Sequence, residues 1–143
     1  MKNLVIIYWS GTGNTEAMAE GVMDGAKKIK DVDVRLINVF DAKVEDVINA
    51  DAVAFGCPAM GSEQLEEVDM EPFIDSIAGA INRKKTILFG SYGWGDGEWM
   101  TDWQNRMEGY GAKVVVDGLI INNDADKEGI EKCKEIGELL AKG

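Results

Sequence analysis

Residues 4–9, Leu-Val-Ile-Ile-Tyr-Trp, are apolar at every position, with none of the alternation that a half-exposed strand would show. A strand with that pattern must be covered on both faces, and a sheet held between two helical layers provides such cover. The rest of the chain agrees with this reading. Met18, Val22, Met23, Ala26 and Ile29 recur at helical spacing, and 32–39 reads as a second strand with Val32, Val34, Leu36 and Val39 facing helices. A short helix over 44–49 precedes a third strand, 52–57, stopped by Pro58. Phe73, Ile74, Ile77, Ala78 and Ile81 form the next helical stripe, with Pro72 tolerable in its first turn. Residues 86–90 make a fourth strand, and Trp99, Met100, Trp103 and Met107 mark a helix ended near Gly109 and Gly111. The last strand, 114–116 and 119–121, is interrupted by Asp117-Gly118, and Ile130, Cys133, Ile136 or Gly137, and Leu140 face the sheet from a terminal helix. Strands alternating with helices in this way imply an α/β fold with a parallel sheet.

In such sheets ligands bind beyond the carboxyl ends of the strands, where the strand order reverses. The connections after the first, third and fourth strands therefore carry the functional signal. The first is Ser10-Gly11-Thr12-Gly13-Asn14-Thr15, where a buried strand breaks into glycines and small polar residues before entering a helix. The N-terminus of a helix presents backbone N–H groups and a partial positive charge, so a phosphate can sit there without Lys or Arg. An ordinary Gly-rich turn reads the same way in isolation, so the other loops decide.

The connection after the third strand is Pro58-Ala59-Met60-Gly61-Ser62-Glu63, and that after the fourth is Ser91-Tyr92-Gly93-Trp94-Gly95-Asp96-Gly97. Trp94 stands among glycines, with few neighbours to bury it, and suits a stacking platform; Trp99 and Trp103, at i and i+4 on a helix, suit the core. Met60 supplies a polarisable contact that packs on an aromatic ring. Opposed to Trp94, it would complete a slot for one planar heterocycle, with Glu63 accepting a hydrogen bond from a ring N–H. A solvated glutamate and a loop-filling methionine are the plainer alternatives.

The totals narrow the field. The 143 residues suit a single domain, 1–143, and carry 26 acids against 15 bases, a formal charge of −11. So acidic a chain, without a basic stripe, does not hold a nucleic-acid backbone, but attracts basic partners over distance. No apolar run approaches the ~18 residues of a membrane span, and the start shows no signal-peptide pattern. Cys57 and Cys133 match no metal spacing and read as buried thiols in a reducing, cytoplasmic setting. The absence of histidine removes Ser-His-Asp and Cys-His catalysis and histidine metal ligands. No Lys or Arg occurs over 3–26, 57–82 or 86–105, so all three loops lie in cation-free segments.

Other phosphate-binding classes fail on their own motifs. A P-loop needs a lysine after its second glycine, where Asn14 stands. The dinucleotide fingerprint needs a third glycine where Glu16 stands, and a Cys-x5-Arg phosphatase loop would need Arg in place of Glu63. A phospho-receiver domain needs an acid pair ending the first strand, which is missing.

The three loops, in this order and spacing, resemble those of the short-chain flavodoxins of clostridial type, and the likeness spans essentially the whole chain. It implies a five-stranded, doubly wound parallel sheet of order 2-1-3-4-5 in three αβα layers. It implies one non-covalently bound FMN and no catalytic residues or metal. Ser10, Thr12, Asn14 and Thr15, with the amides from Gly11 through Gly13 to Thr15, would take the phosphate. Trp94 would stack on the outer face of the isoalloxazine and Met60 on the inner face. Glu63 would accept from N3–H, the amides of Gly93 and Trp94 would donate to O2, and Ala59, Gly61, Ser62, Ser91, Tyr92 and Gly97 would complete the site. Pro58 departs from the Ser or Thr often found there and offers the phosphate neither hydroxyl nor N–H.

The implied function is low-potential electron transfer, one electron at a time through a semiquinone/hydroquinone couple, between redox enzymes. The partners would be basic-faced proteins of the ferredoxin-dependent oxidoreductase type, and the carrier a monomer. A Gly61 carbonyl turned towards flavin N5 would stabilise the one-electron form, and the cation-free surroundings would oppose the second electron. A flavin-dependent reductase or oxidase-activating protein on the same fold is the alternative.

Overall fold

The computed structural model describes residues 2–11, 13–60, 64–93, 95–123 and 126–142. The elements run β1 (Lys2–Tyr8), α1 (Asn14–Ala26), β2 (Val32–Asn38), a 3-10 turn (Val39–Asp41), α2 (Val44–Ile48), β3 (Ala52–Gly56), α3 (Met70–Ser76), β4 (Lys85–Tyr92), α4 (Glu98–Gly109), β5 (Lys113–Val114), β6 (Leu119–Asn122) and α5 (Lys127–Ala141). The sheet order is β2-β1-β3-β4-β5, with β6 also paired to β4, and the strand pairings are parallel. This is the architecture the sequence pattern implies. The fifth position is split as expected: β5 pairs at Lys85 and Thr86, β6 pairs along 89–92, and the break falls at Asp117-Gly118. There the Gly118 amide donates to the side-chain Oε1 of Gln104 at 2.9 Å instead of to a neighbouring strand.

The continuous apolar run of β1 has a direct cause. Leu4, Ile6 and Tyr8 point into a core built with Met18, Ala19 and Val22 of α1 and Cys133, Ile136 and Leu140 of α5. Val5 and Ile7 point the other way, into a core with Val47 of α2, Phe73 and Ile74 of α3, and Trp99, Trp103 and Met107 of α4. Successive side chains of a strand face opposite sides, so a doubly covered strand has no polar side to show. Trp99 and Trp103 are core residues as expected, 1% and 2% exposed. Cys57 and Cys133 are free and buried, and burial pushes both thiols up to about 12.

The apolar stripe from Phe73 to Ile81 is not one helix. Helix α3 closes at Ser76, and the chain continues in tighter i→i−3 turns, with Ala78 N–H donating to Asp75 O and Ala80 N–H to Ile77 O. Ile77 and Ile81 are nonetheless fully buried, so the burial pattern was read correctly and the helix length was not.

Helices α1 and α5 meet at glycines. A Cβ on Gly25 would lie 1.9 Å from the Lys134 carbonyl oxygen, and one on Gly137 would lie 2.0 Å from that of Val22. Backbone packs directly on backbone at both points. Gly25→Ala or Gly137→Ala should force the helices apart and cost about 2 kcal/mol or more, against a gain of under ~1 kcal/mol from helix propensity. Chemical denaturation of each variant checks this; unchanged stability would mean the helices slide freely past one another.

Candidate functional site

The strand order reverses between β1 and β3: the chain leaves β1 towards β2 on one side, and β3 lies on the other. A cavity of about 360 Å3 opens at this edge. Gly11 and Asn14 contribute from the first loop, Pro58, Ala59 and Met60 from the second, and Ser91, Tyr92 and Gly93 from the third. The three loops singled out in the sequence, the first and third of them more than 70 residues apart along the chain, thus share one cavity. Its size falls in the range of small-molecule sites.

Each loop is fastened to the strand ends. Trp9 N–H donates to Gly56 O at 3.0 Å, Cys57 N–H to Phe89 O at 3.1 Å and Ala59 N–H to Ser91 O at 3.0 Å. Met60 and Gln64, on either side of residues 61–63, exchange both backbone hydrogen bonds, at 2.9 and 3.0 Å. The cavity is thereby built on extensions of the ladder.

The first loop leads directly into the N-terminus of α1. Helix α1 starts with Gly13 as its N-cap, at φ +95°, a residue with no side chain to occupy the helix end. Ser10 Oγ accepts the Gly13 N–H at 3.0 Å and keeps its own proton to donate. Gly11 is exposed, and a Cβ there would lie 2.9 Å from the Trp9 ring, so the indole rests against bare backbone that a side chain would occupy. Thr15, read from sequence as a phosphate donor, is fully buried and hydrogen-bonds Ser91 Oγ at 3.0 Å. The pair ties the first turn of α1 to the end of β4. Because each hydroxyl can donate and accept, one proton of the two is left over.

Tyr92 packs on Trp99 with ring centroids 5.8 Å apart, and Trp99 Nε1 donates to the Cys57 carbonyl at 3.3 Å. The aromatic wall of the cavity is therefore continuous with the core. Gly97 is not brought to the cavity: it is the N-cap of α4 at φ +92°, and it lines an adjoining 300 Å3 cleft with Asp96, Met100 and Asp117. Thr12, Gly61, Ser62, Glu63 and Trp94 lie outside the described residues.

Two lining residues escaped sequence reasoning. Trp9 was read as the end of the first strand, yet β1 stops at Tyr8 and Trp9 stands half-buried in the cavity wall. Its place directly before the Gly-rich loop was the available signal. Asn123 follows β6 at φ +56°, with its N–H donating to Tyr92 O at 2.7 Å. That contact joins the fourth and fifth strand positions, and only the Asn-Asn pair after the last strand hinted at it. Pro58 also lines the cavity, through its ring.

Behind the second loop sits a buried carboxylate. Glu66 is 6% exposed and accepts backbone N–H bonds from Val68, Asp69 and Met70 at 2.8, 2.7 and 3.0 Å. Burial alone would raise its carboxyl, but the three donors outweigh that and hold it below the usual carboxylate range. The turn leading into α3 is thus organised around one side chain. Further along that face, Arg106 grips Glu71 with both terminal nitrogens, at 2.7 and 2.6 Å.

The fold and cavity define a class: an αβα protein with a small-molecule cavity at the carboxyl edge of its sheet, where the strand order reverses. The N-terminus of α1 and the aromatic wall of Trp9 and Tyr92 would suit the phosphate and ring of FMN. Comparison with known proteins makes the assignment specific. The flavodoxin family profile matches residues 6–137. The flavodoxin of Clostridium beijerinckii is 49% identical over 140 residues, covering 95% of this chain and 97% of its own. The flavodoxin of Megasphaera elsdenii is 49% identical over 137 residues, covering 96% and 97%. The solution structure of two-electron reduced Megasphaera elsdenii flavodoxin superposes with a TM-score of 0.88 at 47% identity, covering 98% of this chain and 99% of that one. This chain belongs to the flavodoxin family, of the short-chain type. Its cofactor is FMN and its role is electron transfer.

Glu66→Gln should lower stability by about 1–3 kcal/mol at neutral pH, because an amide replaces the charged acceptor of three backbone donors. A carboxyl held low in the folded state stabilises above its ordinary pKa, and loses that contribution as pH falls through the lowered value. The gap between parent and variant should therefore close in acid. Denaturation of both proteins from pH 7 downwards checks it; a gap that persists once the carboxyl is protonated would reject the account.

Proposed function

We propose that residues 1–143 act as one FMN-binding unit, a low-potential monomeric carrier that passes one electron at a time between partner proteins and catalyses no reaction of its own. The observation that carries this reading is the meeting of three cation-free loops in one cavity at the N-terminus of α1. The bound FMN supplies the redox chemistry. The residues of this chain decide how tightly each of its charge states is held.

Ser10, Thr12, Asn14 and Thr15, with the amides of 11–15, hold the phosphate without a formal positive charge. Trp94 and Met60 take the two faces of the ring, Glu63 accepts from its N3–H, and the amides of Gly93 and Trp94 donate at O2. Ala59, Gly61, Ser62, Ser91 and Tyr92 complete the enclosure, and Gly97 serves the same loop by starting α4. The Gly61 carbonyl would accept a hydrogen bond from N5–H of the flavin when that nitrogen carries a proton. Support for these roles comes from the cavity that the neighbours of these residues line and from the family to which the chain belongs.

Two considerations support the electron-carrier reading over a reductase or an oxidase activator. A carrier needs an exposed ring edge and an acidic rim, and the net charge of −11 supplies the rim. The relatives that match over 95–96% of this chain and 97% of their own length, from Clostridium beijerinckii and Megasphaera elsdenii, are flavodoxins. The setting is cytoplasmic, in keeping with two buried free thiols. The partners are proteins with basic docking faces, of the ferredoxin-dependent oxidoreductase type.

Stepwise anaerobic reduction followed by visible spectra tests the reading as a whole: two separate one-electron steps are expected, and a single two-electron step would reject it. The second potential should rise when several acids around Glu63 and Asp96 are neutralised together, since like charge opposes the second electron in a partly dry site. A second potential that does not move removes the electrostatic argument. Gly61→Ala should narrow the separation of the two potentials, by about 40 mV for each 1 kcal/mol of hydrogen bond lost; an unchanged separation counts against the Gly61 role.

A further inference from the structure

The carboxylate that directly follows the phosphate loop in the chain is turned away from it by a tyrosine. Glu16 is the third residue of α1, counted from Asn14, and Gly13 is the N-cap. A glutamate at that position commonly reaches back to the N-cap N–H and so closes the start of its own helix. Here both groups are engaged elsewhere. The Gly13 N–H donates to Ser10 Oγ at 3.0 Å, and the Tyr8 hydroxyl donates to Glu16 Oε2 at 2.9 Å. Asn14, the first residue of the helix, lines the cavity with Gly11, whereas neither Tyr8 nor Glu16 lines it.

Tyr8 is a firm anchor. It ends β1, is 7% exposed and packs in the core beneath α1 and α5, so its hydroxyl has little freedom to move. Burial, and next the bond to Glu16, push that hydroxyl above its usual range, which keeps its proton in place to donate. Glu16 has reason to move if released. It is exposed, no Lys or Arg occurs over 3–26 to pair with it nearby in the chain, and Glu20 stands one turn further along the helix. Like charges at i and i+4 repel, and the partial positive charge of a helix start attracts. Both effects draw a loose Glu16 side chain towards the end of α1 that opens on the cavity. A carboxylate seated there competes for the N–H groups and the dipole that a phosphate uses.

We propose that Tyr8 is a positioning residue for the phosphate of FMN: its hydroxyl fastens Glu16 beside the end of β1 and leaves the N-terminus of α1 open to the anion. The proposal rests on the phosphate-loop reading given above. Tyr8 acts only through Glu16. Between them the two side chains set the preference for a phosphorylated flavin over the same ring system without phosphate.

Equilibrium titrations of the full chain, stripped of flavin, with FMN and with riboflavin test it, each followed by the quenching of flavin fluorescence. The parent should bind FMN more tightly than riboflavin. Tyr8→Phe keeps the buried ring and removes the hydroxyl; it should weaken FMN roughly fivefold and leave riboflavin unchanged. Glu16→Ala removes the carboxylate, so Y8F/E16A should bind FMN as tightly as E16A alone. Equal losses for both flavins in Y8F would mark a general loosening of the site and overturn the proposal. So would an unchanged FMN affinity in Y8F, or a loss of the same size when the hydroxyl is removed from E16A. A parent that binds riboflavin as tightly as FMN would overturn the phosphate-loop reading itself, and the proposal with it.

Discussion

Strands β1, β3 and β4 are buried on both faces, and this double burial governs everything else in the molecule. A sheet wrapped in that way has no polar surface of its own, so polar and redox chemistry is driven to the strand ends. At the carboxyl ends the outgoing loops reach the reversal in strand order, where adjacent connections diverge and leave a gap. The 360 Å3 cavity is that gap, lined by the residues that leave β1, β3 and β4. Because the loops are fastened by bonds such as Ala59 N–H to Ser91 O, the cavity inherits the rigidity of the ladder.

The electrostatics follow from what those loops leave out. No Lys or Arg lies within the three loop segments. Under the proposed assignment, a phosphate held there by hydroxyls, amides and a helix terminus would be neutralised only in part, and each additional negative charge on the cofactor would be more costly. Buried acids of this region are handled separately: Glu66 is satisfied by three main-chain donors and serves the architecture of the turn.

The sequence made the architecture largely readable because double coverage leaves an unmistakable pattern, apolar at consecutive positions, as in 4–9 and 52–57. Where readability failed, the reason was long-range. The hydrogen bond between Thr15 and Ser91, 76 positions apart, could not be inferred from local chemistry. Trp9 looked like strand because it is apolar, yet its position one step past the ladder gives it a different task. The stripe from Phe73 to Ile81 looked helical throughout, and Phe73, Ile74, Ile77 and Ile81 are indeed buried, but the backbone tightened after Ser76. Glu66 was one acid in an acid-rich stretch, and nothing in its neighbours distinguishes a caged carboxylate from a solvated one. The roles assigned to Thr12, Gly61, Ser62, Glu63 and Trp94 depend on the family likeness, since they fall outside the described residues.

The interrupted fifth strand position has a consequence for the fold's versatility. At Gly118 the amide that would have continued the ladder is satisfied by the Gln104 side chain, a partner on α4 and not on the neighbouring strand. Extra polypeptide entering here would break the two hydrogen bonds of the Gln104 side chain, to the Gly118 amide and to Asp117 Oδ1, and leave the main-chain pairing of β4 with β5 and β6 in place. The molecule thus carries a built-in splice point beside its cofactor edge, where a recognition loop or a reporter peptide could be grafted without unpicking the sheet.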